Sequence, residues 1–330
     1  MMICLGIEGS ANKVGVGIMK NEKLLSNVRK TFVPAAGCGF EPTETAQHHR
    51  THIISLIKQA LLDSSLSLGE VDVIAFTKGP GMAVPLISMS IVARTIALLW
   101  NKPLSAVNHC VAHIEMGRLI TRADNPVVLY ASGGNTQVIA YCNKRYTIFG
   151  ETLDIAVGNF LDRVARLLNI SNDPSPGYNI EQMASRGTNF ISDLPYNVKG
   201  MDISLSGLLA KIEAIHSHHK TEDICYSVQE VVFSMMTEIT ERVMSHVDSQ
   251  ELLLVGGVGC NIRLQKMLND MCIQRNAKTF SMDDRFCIDN GAMIAHVGLL
   301  QQKEGIEFNL KDTAVTQRFR TDSVFIKWRY

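Results

Sequence analysis

This 330-residue sequence has no excess charge of either sign, since Lys+Arg and Asp+Glu each total 32. A chain that held nucleic acid unaided would show a basic surplus. Any such contact must therefore use a local patch or a partner's charge. No two of the eight cysteines form a CxxC pair. Several lie in apolar runs, where Cys acts as a small hydrophobe, so they read as reduced thiols and not as a disulfide framework. No hydrophobic run is both long and unbroken. The longest, 84–100, is interrupted by Ser88, Ser90, Arg94 and Thr95, and reads as a buried helix, not a membrane span. No basic segment leads into a cleavage site near Met1, so a secretory or organellar leader is not expected. There is no G-x-x-x-x-G-K-[ST], which excludes a P-loop. What remains is ordinary globular composition, 46% hydrophobic and 19% charged, in a chain long enough for two lobes.

The stretch Asn108-His109-Cys110-Val111-Ala112-His113 follows a short strand-like run, Leu104 to Val107. If it is helical, His109 and His113 share one face with Cβ atoms ~5–6 Å apart, close enough for both imidazoles to bind one metal ion. The metalloprotease version needs Glu directly after the first histidine, and Cys110 stands there. The bland alternative is a pair of helix-surface histidines.

Taken in order, Ile3 to Ile7, Val14 to Ile18 and Leu24 to Val28 form a three-stranded meander with short turns. A helix from Thr45 to Leu62 carries His48, His49 and His52, read as a polar face lining a cleft. A strand from Val71 to Thr77 ends in Lys78-Gly79-Pro80-Gly81-Met82, and the long apolar helix follows. At Val127 the pattern restarts. Strands at Val127–Ala131, Gln137–Tyr141 and Tyr146–Phe149 repeat the meander. Leu252 to Val255, ending in Gly256-Gly257-Val258-Gly259, mirrors the strand and glycine turn at 71–81. Phe286-Cys287-Ile288 leading into Asp289 and a helix mirrors the histidine stretch. Two halves with one element order argue for an internal duplication. A pseudo-twofold would place Asp289 opposite His109 across a cleft, although Asp is also a common helix N-cap.

Ser132-Gly133-Gly134-Asn135-Thr136 offers unhindered backbone N–H groups of the kind that bind anions, or is a plain glycine hairpin. Gly256 to Gly259 before a helix is a second candidate. Together the two loops describe a nucleotide held between lobes. Asp162 interrupts an apolar helix pattern, and either binds a ribose hydroxyl or pairs with Arg163 or Arg166. Glu181, after the rigid loop Pro174-Ser175-Pro176-Gly177-Tyr178, either contacts ribose or complements a helix N-terminus.

The combination Gly6-Ile7-Glu8-Gly9-Ser10-Ala11, Thr45 to Arg50, Thr77 to Met82, Asn108 to Arg118, Tyr130 to Gln137, Gly256 to Asn261, Asp289 to Ala292 and Gln317 to Asp322 resembles one family over nearly the whole chain. It is similar to the tRNA threonylcarbamoyladenosine synthesis transferases of the archaeal and eukaryotic cytosolic type found in the KEOPS complex. Ala112 and Ala83-Val84 depart from the glycines many relatives carry. The resemblance implies an α/β, actin-like ATPase fold of two duplicated ribonuclease-H-like lobes. On that expectation residues 1–120 form the first lobe and 121–299 the second, with about 300–330 packing back on the first. The implied metal ligands are His109, His113 and Asp289, with Tyr130 as a further one, for Fe(II) or Zn(II). The implied nucleotide contacts are Tyr130, Ala131, Ser132, Gly133, Gly134, Asp162, Gly177, Glu181 and Asn261. The substrates would be threonylcarbamoyl-AMP, from a separate synthase, and tRNA at the adenosine 3′ to the anticodon. The partners would be KEOPS subunits: a small atypical kinase/ATPase, a small dimerising subunit and accessory subunits. No membrane is implied, and the place of action would be cytoplasm and nucleus in a eukaryote or cytoplasm in an archaeon. A small-molecule kinase of the same superfold and a non-catalytic nucleotide-binding scaffold are the alternatives.

Overall fold

A computed structural model describes residues 1–35 and 37–329. The first half opens with β1 (Ile3–Glu8), β2 (Lys13–Lys20) and β3 (Lys23–Thr31). Next come α1 (Pro42–Ser64), β4 (Val73–Gly79), α2 (Ala83–Leu99), β5 (Leu104–Asn108) and α3 (His109–Thr121). The second half opens with β6 (Val127–Ala131), β7 (Thr136–Cys142) and β8 (Arg145–Glu151). The helices α4 (Val157–Leu167) and α5 (Pro176–Ala184) follow, then the short strands β9 (Val198–Lys199) and β10 (Asp202–Ile203). The half continues with α6 (Ser206–Ile215), α7 (Thr221–His246), β11 (Glu251–Val255), α8 (Ile262–Gln274), β12 (Lys278–Ser281), α9 (Asp284–Cys287) and α10 (Gly291–Lys303).

Each half forms a five-stranded sheet, in the orders β3-β2-β1-β4-β5 and β8-β7-β6-β11-β12. In both, an antiparallel meander is extended by two strands parallel to its first. The duplication expected from the element order is thus present strand for strand. Parallel strands need covered faces, and three cores supply the cover. Helices α1 and α2 close one face of the first sheet, and α4 to α8 close one face of the second. Between the sheets lies a core made by α3, α10 and the inward residues of both, among them Val107, Tyr130 and Val255. Close approach of α10 to the first sheet depends on glycine. A Cβ at Gly6 would fall 2.3 Å from Ala295 N, and one at Gly17 would fall 2.1 Å from Ala292 N.

Several local expectations change. Helix α1 begins at Pro42, at its first turn, where proline's missing N–H costs nothing. Helix α2 is not buried all round: Ile87, Ile91, Leu98 and Leu99 are exposed along one face. An unbroken apolar pattern cannot say which face is covered. Residues 286–288 do not continue a strand, because Asp283 caps a helical turn by accepting the Arg285 N–H at 2.9 Å. No helix among the described residues is long and apolar enough to cross a membrane.

After α10 the chain runs over both sheets. Thr316 N donates to Lys78 O at 2.9 Å and Asn108 Nδ2 to Phe319 O at 3.0 Å. Farther along, Ile326 N donates to Lys144 O at 2.8 Å and Tyr141 Oη to Arg329 O at 3.1 Å.

Candidate metal centre and nucleotide cleft

The two helices between the sheets carry the site at their N-terminal ends. Asn108 caps α3, its Oδ1 accepting the N–H groups of Cys110 and Val111 at 2.9 and 3.1 Å. That fixes His109 and His113 on one face, with ring centroids 4.7 Å apart. On α10 the cap is Asn290, whose Oδ1 accepts from Met293 N at 3.1 Å. Asp289 is therefore not the N-cap, and its carboxylate turns to the histidines. Asp289 Oδ1 lies 3.1 Å from His113 Nε2 and 3.4 Å from His109 Nε2. The three ligand atoms are all within 4.8 Å of one another.

The donor set fits a divalent ion. Two further observations agree. The Tyr130 hydroxyl is buried beside the His113 ring, 5.4 Å between centroids, and has no hydrogen-bond partner among the described residues. His113 Nδ1 is likewise buried and without a partner among the described residues. Burial of this kind is costly. Behind His109 stands a residue that sequence reasoning did not assign to the site. Glu8 Oε2 lies 3.1 Å from His109 Nδ1, giving a carboxylate–histidine pair of the type that orients metal ligands. The available signal was an acidic residue closing an apolar strand, since a buried carboxylate is kept only when fully hydrogen-bonded.

Charge follows from these contacts. Burial opposes the charged form of Asp289, but hydrogen bonds from His109 and His113 outweigh it and hold the carboxyl well below its usual range. Burial lowers His109 too, yet Glu8 and Asp289 together raise it well above an ordinary imidazole. His113 is lowered, chiefly by burial. Burial, with Cys110 and Asp289, raises the Tyr130 phenol well above its usual range.

The nucleotide candidates divide by what they leave free. Ala131 is buried at the end of β6. In the turn after it, Ser132 and Asn135 bond each other. Among the described residues the N–H groups of Gly133 and Gly134 have no protein acceptor, and a Cβ added at either, or at Gly177, would meet nothing within 4 Å. Asp162, on α4, makes no ion pair among the described residues, and burial pushes its carboxyl up to about 6. Glu181 lies inside α5 and not in its first turn. Its Oε1 accepts the Ile262 N–H at 2.8 Å, and burial raises its carboxyl. The Asn261 side chain caps α8 and donates to Gln229 at 3.0 Å, so both its ends are engaged. His48 and His49 do not form an open polar face. His49 is fully buried and bonds the Ala11 carbonyl at 2.9 Å, and its Nδ1 lies 3.2 Å from His48 Nδ1.

The chain is similar to known proteins over its whole length. Residues 23–296 match the family profile of tRNA N6-adenosine threonylcarbamoyltransferase. Relatives bearing that name from Xenopus laevis and Homo sapiens are each 59% identical, with 100% of both chains covered. One from Drosophila melanogaster, named as probable, is 56% identical over 99% of both. Among solved structures, HypF of T. kodakarensis aligns with a TM-score of 0.64 at 16% identity, covering 95% of this chain and 49% of its own. Component A of the (R)-2-hydroxyglutaryl-CoA dehydratase of Acidaminococcus fermentans aligns with a TM-score of 0.58 at 14% identity, covering 90% and 98%. Those two likenesses establish the actin-like ATPase fold.

Proposed function

The chain belongs to the tRNA N6-adenosine threonylcarbamoyltransferase family, and from that premise we propose how its cleft moves a threonylcarbamoyl group to adenosine in tRNA. The donor is threonylcarbamoyl-AMP, supplied by a separate synthase. Its adenosine rests on the open turn at Gly133 and Gly134, its ribose meets Asp162, and its carbamoyl end meets His109, His113 and Asp289. The exocyclic amine of the adenosine 3′ to the anticodon attacks the carbamoyl carbon. The bond from that carbon to the phosphate oxygen breaks, AMP leaves with the bonding pair, and the amine gives up one proton.

A divalent ion held by His109, His113 and Asp289, with Tyr130 as a further ligand, would polarise the carbamoyl group and neutralise developing charge. Two imidazoles, a carboxylate and a phenol suit Fe(II) or Zn(II). The chain's own residues supply position. Glu8 keeps the proton of His109 on Nδ1, leaving Nε2 turned to the cleft. The core between the sheets fixes the helices that carry the ligands.

The observation that carries this reading is the convergence of three ligand atoms from α3 and the start of α10 within 4.8 Å, beside an open glycine turn. A balanced net charge and the exposed apolar face of α2 support work within a complex, which we take to be KEOPS. Its kinase/ATPase, dimerising and accessory subunits would add the surface that tRNA needs.

The test is incorporation of labelled threonine into unmodified tRNA, with ATP, bicarbonate, the synthase and the partner subunits. Wild type should label tRNA. His109→Ala and Asp289→Ala should each abolish labelling while the fold is kept. Labelling indifferent to both substitutions would overturn the metal-centred mechanism.

A further inference from the structure

We propose that Lys13 binds the phosphate of the acyl-adenylate and offsets the charge that builds on it as AMP leaves, an inference that rests on the cleft reading above. Lys13 opens β2, and Gly15 and Gly17 share its face of the strand, because side chains alternate. That face looks onto the start of α10. A Cβ at Gly15 would lie 3.1 Å from Gly291 N and one at Gly17 would lie 2.1 Å from Ala292 N. Lys13 leaves the sheet on the same side, one step nearer the cleft, where Glu8 pairs with Gly15 at the end of β1. It therefore projects toward the segment that holds Asp289.

Among the described residues Lys13 has no carboxylate partner, and its Nζ donates only to the Asn12 amide oxygen at 2.9 Å. Its charge reaches a carboxylate of the second half. Burial raises the Asp162 carboxyl, and Lys13 is the first group opposing that rise, ahead of Arg166. On a strand face turned to the start of α10, and with its charge felt at Asp162, the ammonium lies near both the ribose carboxylate and the metal cluster.

The donor has the same order along its length: ribose, phosphate, carbamoyl. With ribose at Asp162 and carbamoyl at the cluster, the phosphate falls where Lys13 is. There it would otherwise face two carboxylates, an unfavourable juxtaposition at low dielectric. When the carbon–oxygen bond breaks, the electron pair stays on the phosphate oxygen and the phosphate gains one negative charge. Lys13 meets that charge with no reorganisation, as positioned cations do in group transfer.

The experiment is calorimetric titration of the full chain with AMP and with adenosine, for wild type, Lys13→Ala and Lys13→Arg. Wild type should prefer AMP. In Lys13→Ala the AMP affinity should fall about tenfold or more, the scale of a lost charge-assisted contact, while adenosine affinity stays as in wild type and certifies the fold. Lys13→Arg should recover most of the AMP preference. If AMP and adenosine affinity fall together in Lys13→Ala, or neither falls, Lys13 is not the phosphate contact and the nucleotide cleft stands. If wild type binds neither ligand, the cleft reading fails and this inference fails with it.

Discussion

Glu8 shows how a single buried carboxylate can set the charge state of a neighbouring ligand. It accepts the Ser10 N–H at 2.7 Å, the Ser10 hydroxyl at 2.6 Å and the Thr77 hydroxyl, and its remaining reach goes to His109. Glu8→Gln keeps the shape and removes the charge. Metal affinity, read by competition with a chelator, should then weaken about 10–100-fold, and an unchanged affinity would show that the contact is only packing. The same pair makes metal loading proton-coupled. Glu8 and Asp289 hold His109 well above its ordinary value, so without metal its Nε2 carries a proton at neutral pH. A metal must displace that proton. Affinity should therefore rise with pH below the raised value of His109 and level off above it. Calorimetry at pH 7 in buffers of different ionisation enthalpy should find about one proton released per ion, and a smaller release in Glu8→Gln. No release in wild type would mean that His109 is neutral there.

Helix α3 joins this chemistry to the rest of the fold through its far end. Glu115, fully inside, accepts from Tyr146 Oη at 2.6 Å, Trp328 Nε1 at 2.8 Å and Arg118 Nη1 at 2.8 Å. Arg329 closes the group, 3.9 Å above the Tyr141 ring and donating to Asp124 O at 2.9 Å and Asn125 Oδ1 at 3.0 Å. Arg329→Ala should cost about 2–3 kcal/mol in urea unfolding, the range for breaking a buried polar network. Arg329→Lys should recover less than half, since an ammonium neither stacks nor forks. Full recovery by Lys would reduce the role to charge alone. Elements differ in how far the sequence reveals them, and locality explains it. The meanders and the His109–His113 pair rest on short-range periodicity and could be read directly. Asp289 could be read because the chain repeats. Glu8 could not be assigned, since its partner lies 101 residues away. Asn290, and not Asp289, proved to be the cap, because both types cap equally well. The run after α10 has no periodicity, so its path over both sheets was not legible.

At the scale of the whole molecule, acid lability follows from histidines that the fold hides. His49 lies on the buried face of α1 and His296 between the sheets on α10. Burial leads the lowering of both, to about 4 in each case. Near His296 the carboxylates Glu115 and Glu22 oppose that lowering, while Lys303 and Arg118 add to it. An unfolded histidine titrates at about 6.5. Between those values the unfolded chain binds more protons than the folded one, so stability rises with pH there. The contribution is complete above pH ~6.5 and is lost progressively down to pH ~4. By pH 5 each residue should have cost roughly 2 kcal/mol, a large share of the ~5–15 kcal/mol that holds a domain folded. Urea midpoints measured with a chelator at pH 7 and pH 5 should show the loss. His296→Gln removes one of the two groups and leaves the metal-site titrations common to both proteins. The fall from pH 7 to pH 5 should therefore be smaller in His296→Gln than in wild type by about 2 kcal/mol. An equal fall in both would mean that His296 is protonated inside the fold, with Glu115 or Glu22 stabilising the charge in place.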